Sequence, residues 1–274
     1  MNKRKRNTSK STFQNFSKTV QFIIGCILIL YFLVNKFQSV RTDTITETRD
    51  SEIISDTEIY RSLAWADYSR SVYDLDYTIG VNELRNSKSK KDNIRLSVSA
   101  WSTNETYWAA VYQQLLSNDK EFIICRADSL EVVRNQEQLN TKEFADVIMT
   151  FVQDIEYAFV FEDRQCYKEP RTPCVEGQKF GIHSPTEFLY TLQGDCDTRA
   201  VLLMGIYKHL GYDPAIAVSA EYRHAMLLLN LPSSGTYLNH FGKKYFFWES
   251  TAKNWKLGIM PPATKNLNHW KIVL

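Results

Sequence analysis

The sequence carries almost no excess of charge of either sign. Its 274 residues include 33 lysines and arginines against 31 aspartates and glutamates, a net charge of +2. Because so small an excess creates no attractive field over the whole molecule, we expect no nucleic-acid partner. Internal repeats are also missing, and no low-complexity stretch separates two globular units. The five cysteines and five histidines do not fall at the spacing of a zinc site, so we expect no metal or other cofactor.

Basic residues cluster at the N-terminus, ahead of a long apolar run at residues 20–34. We interpret residues 1–18 as a basic cytoplasmic tail and residues 19–36 as a transmembrane signal anchor. The apolar run has about 15 residues, fewer than the ~20 of a relaxed spanning helix, but flanking residues can snorkel to complete the span. It also has the length of a signal-peptide core. No small-x-small cleavage site follows it, which favours an uncleaved anchor over a cleaved signal peptide or a buried core helix.

The positive-inside rule places the N-terminus in the cytoplasm and the chain after about residue 36 across the membrane. We therefore expect a single-pass protein of the cell membrane whose folded part is extracytoplasmic, either periplasmic or extracellular. In that location Cys166 and Cys174, which lie in a polar segment, are permitted a loop-closing disulfide, although the sequence leaves the pairing open. Cys125 follows an apolar triplet and is expected to be a small buried residue.

Residues 37–56 are rich in Thr, Ser, Asp and Glu without periodicity, which is typical of an extended stalk. Residues 57–135 are interpreted as an extension of helices and strands that packs on the core. Residues 122–124 are ambiguous, because they fit a buried strand as well as a helix. The patterns predict a helix over 57–69, a strand over 73–81, a loop over 86–93, a second strand over 94–100, and helices over 103–116 and 119–134.

The core is expected to occupy residues 136–274 and to begin with a capped helix. Asn140 and Glu143 have the spacing of a capping box, and an apolar helical face follows them. Residues 161–190 predict a long loop. A loop of that length in a compact domain is usually functional, and this one could form a wall of a substrate cleft.

The most informative stretch is residues 192–211. Asp195 is a suitable helix N-cap, apolar positions then recur at helical spacing, and Gly211 is a suitable stop, so the stretch predicts an amphipathic helix. Cys196 then lies in the first turn, where the helix dipole and free N–H groups favour an anion and lower the thiol pKa. The charges of Asp195 and Asp197 act in the opposite direction, so an imidazolium partner must outweigh them.

A candidate base and a candidate acid follow the thiol in chain order. His224 opens the second of two β-rich runs after the helix, and Glu249 ends a third. His209 lies about three and a half turns from Cys196 along the same helix and cannot reach the thiol. We therefore predict that His224 activates Cys196 and that Glu249 orients the imidazole.

These residues resemble the signature of the transglutaminase-like superfamily of cysteine enzymes. The resemblance covers roughly residues 142–257 and rests on Gly-Asp-Cys-Asp before a helix, His-Ala opening a strand, and Trp-Glu-Ser-Thr closing the next. It implies an α+β fold with a papain-like, transglutaminase-like core, in which a catalytic helix packs on an antiparallel sheet. The family more usually has Asp where this chain has Glu249, and the Cys-Gly-Ser-Cys-Trp signature of papain itself is absent.

The resemblance implies acyl transfer from a protein or peptide substrate through a thioester on Cys196, with His224 and Glu249 as the other catalytic residues. Water as the second nucleophile makes such an enzyme a peptidase or amidase, whereas an amine makes it a transglutaminase. The sequence leaves both fates open. The alternative is a non-catalytic binding module of the cell envelope that keeps the fold for its groove.

An oxyanion hole is also implied by this chemistry. Its natural donor is the backbone N–H of Cys196, and the side-chain amide of Gln193 or Gln153 could supply a second. Arg199, one turn into the helix, is expected to be a structural partner of a nearby acid rather than a catalytic residue.

Overall fold

The computed structural model describes residues 58–96, 103–168 and 171–274. Within these ranges the chain adopts the expected mixed α+β fold, with six α-helices and nine strands. The helices are α1 (Val81–Asp92), α2 (Asn104–Asn118), α3 (Lys120–Glu137), α4 (Thr141–Asp154), α5 (Pro185–Thr191) and α6 (Cys196–His209). The strands are β1 (Glu58–Ala66), β2 (Val72–Gly80), β3 (Phe159–Val160), β4 (Cys174–Val175), β5 (Pro214–Ser219), β6 (His224–Leu229), β7 (Tyr237–His240), β8 (Lys243–Trp248) and β9 (Lys271–Ile272).

Three predicted segments, the tail (1–18), the membrane anchor (19–36) and the stalk (37–56), lie outside the described residues. Inside the described ranges, every helix is too short or too polar to cross a membrane. The assignments for the N-terminal segments therefore stay predictions.

The described chain starts with a β-hairpin instead of the helix predicted over residues 57–69. Strands β1 and β2 pair antiparallel over nine residues each. The helix prediction was wrong because Ile59 and Leu63 are four residues apart, a spacing that places them on one face of a helix and equally on one face of a strand. The strand predicted over 73–81 is confirmed as β2.

The polar segment 86–93, predicted as a loop, instead forms the second half of α1. The prediction assumed that these polar residues have nothing to bury, but Ser87 and Lys91 lie in the interior with polar partners of their own. Residues 94–96, where the second strand was predicted to begin, belong to no strand. The rest of that predicted strand, residues 97–100, lies outside the described residues.

Helices α2 and α3 confirm the helices predicted over 103–116 and 119–134, so the strand alternative for 122–124 is wrong. Cys125 is exposed, which corrects the expectation that it is buried. The buried positions of α3 are Phe122, Ile123, Arg126, Ala127, Leu130 and Val133. Residue 125 falls outside that helical stripe and faces solvent.

Two helices begin with capping boxes. Asn140 caps α4 as predicted, since its side chain accepts hydrogen bonds from the N–H groups of Lys142 and Glu143 at 2.9 and 3.0 Å. Ser184 caps α5 in the same way, and the carboxylate of Glu187 reaches back to the Ser184 N–H at 2.8 Å. The second box fixes the short helix that leads to the candidate nucleophile.

The long loop predicted over residues 161–190 is wrong in part, because that segment contains β4 and most of α5. Cys166 and Cys174 form a disulfide, the pairing that the sequence left open. Next to it, β3 and β4 form a short parallel pair. The disulfide thus closes a loop whose second end enters this strand pair.

Helix α6 lies at the centre of the fold and is buried on almost every side, so the amphipathic pattern predicted for it is wrong. One side packs on a five-stranded antiparallel sheet with the order β7-β8-β6-β5-β9. Another side packs on α3, and Gly205 makes this approach possible. A Cβ at position 205 would lie 2.9 Å from the side chain of Ile123.

A buried ion pair ties α1 to α5. The ammonium of Lys91, which is fully buried, lies 2.7 Å from the Glu187 carboxylate. It also donates to the carbonyl of Ile182 at 2.9 Å and to the side chain of Gln178 at 3.0 Å, so all three of its protons have partners. Burial lowers the pKa of Lys91, and the charge of Glu187 opposes that shift. The pair therefore joins the predicted extension to the predicted core.

We predict that Lys91→Met lowers the free energy of unfolding by about 3–5 kcal/mol, because it leaves Glu187 as an uncompensated buried charge. Lys88→Met is the matched control. Lys88 is on the same helix and forms a half-exposed pair with Asp92 at 4.0 Å, whose loss should cost less than about 1 kcal/mol. Urea unfolding of both variants measures the difference, and equal losses would show that the buried pair does not hold the two parts together.

Candidate active site

The turn before α6 is built for close packing. A Cβ at Gly194 would lie 2.7 Å from the side chain of Thr198 and 2.8 Å from that of Phe188, so glycine is required there. Asp195 caps α6 as predicted, since its carboxylate accepts the N–H of Thr198 at 3.2 Å. Cys196 is therefore the first residue of the helix, as the sequence predicted.

Arg199 holds this turn from inside the protein. Its guanidinium is fully buried and donates to the carbonyl oxygens of Gly194, Val152, Ile155 and Ser250 at 2.6 to 3.2 Å. The expectation that it pairs with an acid is wrong, because each of these hydrogen bonds goes to a backbone carbonyl. Burial lowers the pKa of Arg199 to about 10. The structural role expected of it stands, with a different set of partners.

His224 and Glu249 form a hydrogen-bonded pair at one end of the sheet. They belong to neighbouring strands, since His224 opens β6 and Glu249 directly follows β8. His224 Nε2 lies 2.9 Å from Glu249 Oε2, and Glu249 Oε1 accepts both the N–H and the hydroxyl of Thr251. Burial alone would raise the pKa of Glu249, but the bonds from His224 and Thr251 outweigh it and the pKa is lowered. The carboxylate thus stays ionised and fixes the imidazole.

The thiol of Cys196 reaches the same end of the sheet. It is buried, with 7% of the residue exposed, and the backbone of Ala225, the residue after His224, hydrogen-bonds to it. Burial and the charges of Asp197 and Asp195 raise the pKa of this thiol well above its usual range. The predicted lowering of the pKa is therefore wrong for the resting site, because burial and the acidic neighbours outweigh the helix N-terminus.

Asp197 is a site residue that the sequence flagged only as an opposing charge. Its carboxylate accepts the hydroxyl proton of Tyr112 at 2.5 Å, which brings a residue of α2 onto the first turn of α6. Burial raises the pKa of Asp197, while the hydrogen bond from Tyr112 and the charge of His224 act to lower it. The sequence predicted a helix over 103–116 from its spacing alone, and nothing in that pattern indicated a polar contact at Tyr112.

A small cavity of about 320 Å³ lies beside the imidazole. His224 and Asp197 line it together with the aromatic rings of Tyr112 and Trp108, and the exposed Arg223 lies at its wall. Residues from both sequence ranges, extension and core, therefore form one concave surface next to the candidate base.

A large cavity of about 650 Å³ lies at the turn that leads into Cys196. Gln193 and Tyr157 line it, and burial raises the pKa of Tyr157, with a smaller contribution from the nearby thiolate form of Cys196. Gln153 was a candidate oxyanion donor, but its amide donates to the carbonyls of Glu249 and Trp255 at 2.7 and 2.9 Å. Gln153 is thus occupied, which leaves Gln193 as the side-chain candidate of the two.

Comparisons of the chain with protein-family models, with curated proteins and with solved structures found no match. In the described part of the chain, no three His, Cys, Asp or Glu side chains converge closely enough to hold a metal ion. The chemistry of the site is therefore inferred from its residues and their geometry.

We predict that the protein loses stability as the pH rises from about 4 to about 8, in part through Asp195. Burial and the charge of Asp197 raise the pKa of Asp195 to about 8, against about 4 in an unfolded chain. Between these values the folded state keeps the proton that the unfolded state has lost, so stability falls with pH.

Asp195→Asn should make this fall shallower and raise stability at pH 8, because Asn still caps the helix and carries no charge. Melting temperatures at pH 5, 6.5 and 8 measure the slope. Asp163→Asn, at an exposed position, should keep the slope of the unmodified protein. The prediction is wrong if both variants give the same slope.

Proposed function

We propose that this protein is a cysteine enzyme of the transglutaminase-like type, with a papain-like core, that transfers acyl groups through a thioester on Cys196. The observation that carries the proposal is the 2.9 Å pair between His224 Nε2 and Glu249 Oε2, next to a thiol at the start of a buried helix. A nucleophile, a base and an orienting carboxylate from three separate elements meet at one end of the sheet.

The pairing at Nε2 assigns the roles of the two imidazole nitrogens. Glu249 accepts the Nε2 proton, which leaves the lone pair of His224 on Nδ1 for proton transfer. The thiol proton of Cys196 passes to Nδ1 as sulfur attacks the substrate carbonyl. The imidazolium then gives this proton to the leaving amine as the C–N bond breaks, and a thioester remains.

The raised thiol pKa supports activation in concert with attack rather than a preformed ion pair. A free thiolate beside Asp195 and Asp197 is unfavourable, whereas transfer of the proton to His224 leaves the total charge of the site unchanged. Glu249 stabilises the imidazolium that results. The developing oxyanion would be held by the backbone N–H of Cys196 and the amide of Gln193.

The proposed substrate is a protein or peptide. The thioester would be resolved by water in a peptidase or amidase, or by an amine in a transglutaminase. The small cavity beside His224 is the space from which the second nucleophile would approach, since the imidazole must take its proton.

We further propose that the domain lies outside the cytoplasm, held at the cell membrane by residues 19–36. The disulfide between Cys166 and Cys174 supports this location, because such bonds persist in oxidising compartments. The N-terminal basic residues support the orientation.

A second candidate function is the non-catalytic binding module. It is favoured by the burial of Cys196 and its raised pKa, which together describe an unreactive thiol. The large and the small cavity would then serve for binding alone.

We predict that incubation with a glutamine peptide gives ammonia and either a hydrolysed peptide or, with a primary amine present, an amide adduct. Cys196→Ala should abolish both products, and Glu249→Gln should lower kcat by about 10²-fold or more, since it removes the charge that stabilises the imidazolium. Mass spectra of the products separate hydrolysis from crosslinking. Cys125→Ser, at an exposed thiol away from the site, is the control that keeps activity. Product formation by Cys196→Ala would rule out the thioester.

We also predict that alkylation of Cys196 by iodoacetamide keeps accelerating as the pH rises beyond 8, because the thiol pKa is raised and the thiolate is the reactive form. Peptide mass spectrometry follows Cys196 with the exposed Cys125 as an internal reference. A rate that is already maximal near pH 6 would reveal a preformed thiolate–imidazolium pair and contradict the neutral resting thiol.

A further inference from the structure

Arg61 is a cation on the inner face of the hairpin with donors left over. It lies opposite Tyr77 in the register of β1 and β2, and the side chains that share its face pack toward the core. One guanidinium nitrogen donates to the carbonyl of Tyr190, and the group lies 6.0 Å from the centre of the Tyr190 ring. Burial lowers the pKa of Arg61.

The remaining donors of Arg61 find no acceptor among the described residues. Its Nε is buried without a hydrogen-bond partner, and no carboxylate among the described residues lies within ion-pair distance of the guanidinium. A half-buried cation with an unpaired donor is unfavourable when no counter-ion compensates it. An anion bound here would accept a hydrogen bond from the unpaired Nε and would balance the charge of the guanidinium.

Arg61 lines the large cavity at the turn that leads to the candidate nucleophile. On the same cavity wall lie Thr191, Leu192 and Gln193, the three residues that lead through Gly194 and Asp195 to Cys196. Tyr157 lines this cavity too and interacts electrostatically with Cys196, which places the thiol near the wall that Arg61 shares.

Other charges of the large cavity are already balanced or exposed. Lys253 and Asp154 form an ion pair with each other, and Glu156 is exposed to solvent. Arg61 is therefore the cation of this cavity that is half-buried and unmatched by a described carboxylate. Its planar fork suits a carboxylate, which can accept two parallel hydrogen bonds.

We propose that Arg61 binds a carboxylate of the acyl donor, so that the preferred substrate is an acidic peptide segment. The inference rests on the proposed function, since it concerns the substrate of the same thiol. The carboxylate comes from a Glu or Asp side chain or from a peptide C-terminus. Arg61 is in this way a specificity residue, and the reaction itself stays with Cys196, His224 and Glu249.

Three isosteric alkylating probes test this assignment. N-iodoacetyl-glutamate α-amide carries a side-chain carboxylate, N-iodoacetyl-glutamine carries an α-carboxylate, and N-iodoacetyl-glutamine α-amide is neutral. Mass spectrometry measures the rate at Cys196, divided by the rate at the exposed Cys125 for each probe. We expect one anionic probe to react about tenfold faster than the neutral probe, the effect of one charge-assisted pair. Which anionic probe is faster identifies the source of the carboxylate.

Variants of Arg61 and Lys253 test which cation of the cavity binds the carboxylate. In Arg61→Met the ratio of anionic to neutral rates should fall to about one, because the cation that would pair with the carboxylate is gone. Lys253→Met, which removes the other cation of the cavity, should keep the preference. Arg61→Gln keeps a donor for the Tyr190 carbonyl, and it replaces the Met variant if that variant fails to fold.

The possible outcomes separate this inference from the proposed function. If no probe modifies Cys196 at any pH, the thiol is not a nucleophile and the proposed function itself fails. If Cys196 reacts equally with all three probes, the thiol is reactive and the role of Arg61 alone is overturned. A preference that persists in Arg61→Met and Arg61→Gln, or that is lost in Lys253→Met, also overturns it.

Discussion

The candidate site depends on the hydrogen bonds that the buried guanidinium of Arg199 donates. Its four carbonyl partners belong to the end of α4, the turn before Cys196 and the residue after Glu249. These segments are far apart in sequence and position the candidate nucleophile and the candidate orienting acid. Because carbonyl oxygens neutralise no charge, the cation has no counter-charge at hydrogen-bond distance, and the ionised Glu249 stabilises it from further away. The cation and the acidic site therefore support each other.

Sequence patterns predicted the elements that carry the site better than those that surround it. The start of α6 at Cys196 and the start of β6 at His224 were both predicted. An N-cap residue before an apolar run signals the start of a helix, and a run of β-branched or aliphatic residues signals a strand. The hydrogen bond between His224 and Glu249 joins residues 25 apart, and only the chain order of thiol, imidazole and carboxylate and the family resemblance suggested it. Local patterns carry no information about such a contact until the strand order is known.

The surrounding elements were mispredicted where polar or charged residues are buried. Helix α1 looked like a solvated loop because its lysines and serines are polar, yet Lys91 is buried and paired with a carboxylate nearly a hundred residues away. The same limit applies to the electrostatics of Cys196. The sequence placed the thiol at a helix N-terminus, which lowers its pKa, but the depth of its burial follows from how α3 and the sheet enclose α6.

The hydrogen bond from Tyr112 to Asp197 makes the predicted extension part of the site rather than a separate cover. Tyr112 is fully buried, so α2 cannot withdraw from α6 without exposing this ring and unpairing Asp197. Asp197 in turn faces the small cavity with His224, and its charge acts on both the thiol and the imidazole. A shift of α2 would thus alter the charge balance at Cys196 directly. For this reason the described residues of the predicted extension are better understood as part of the candidate site than as a separate layer over it.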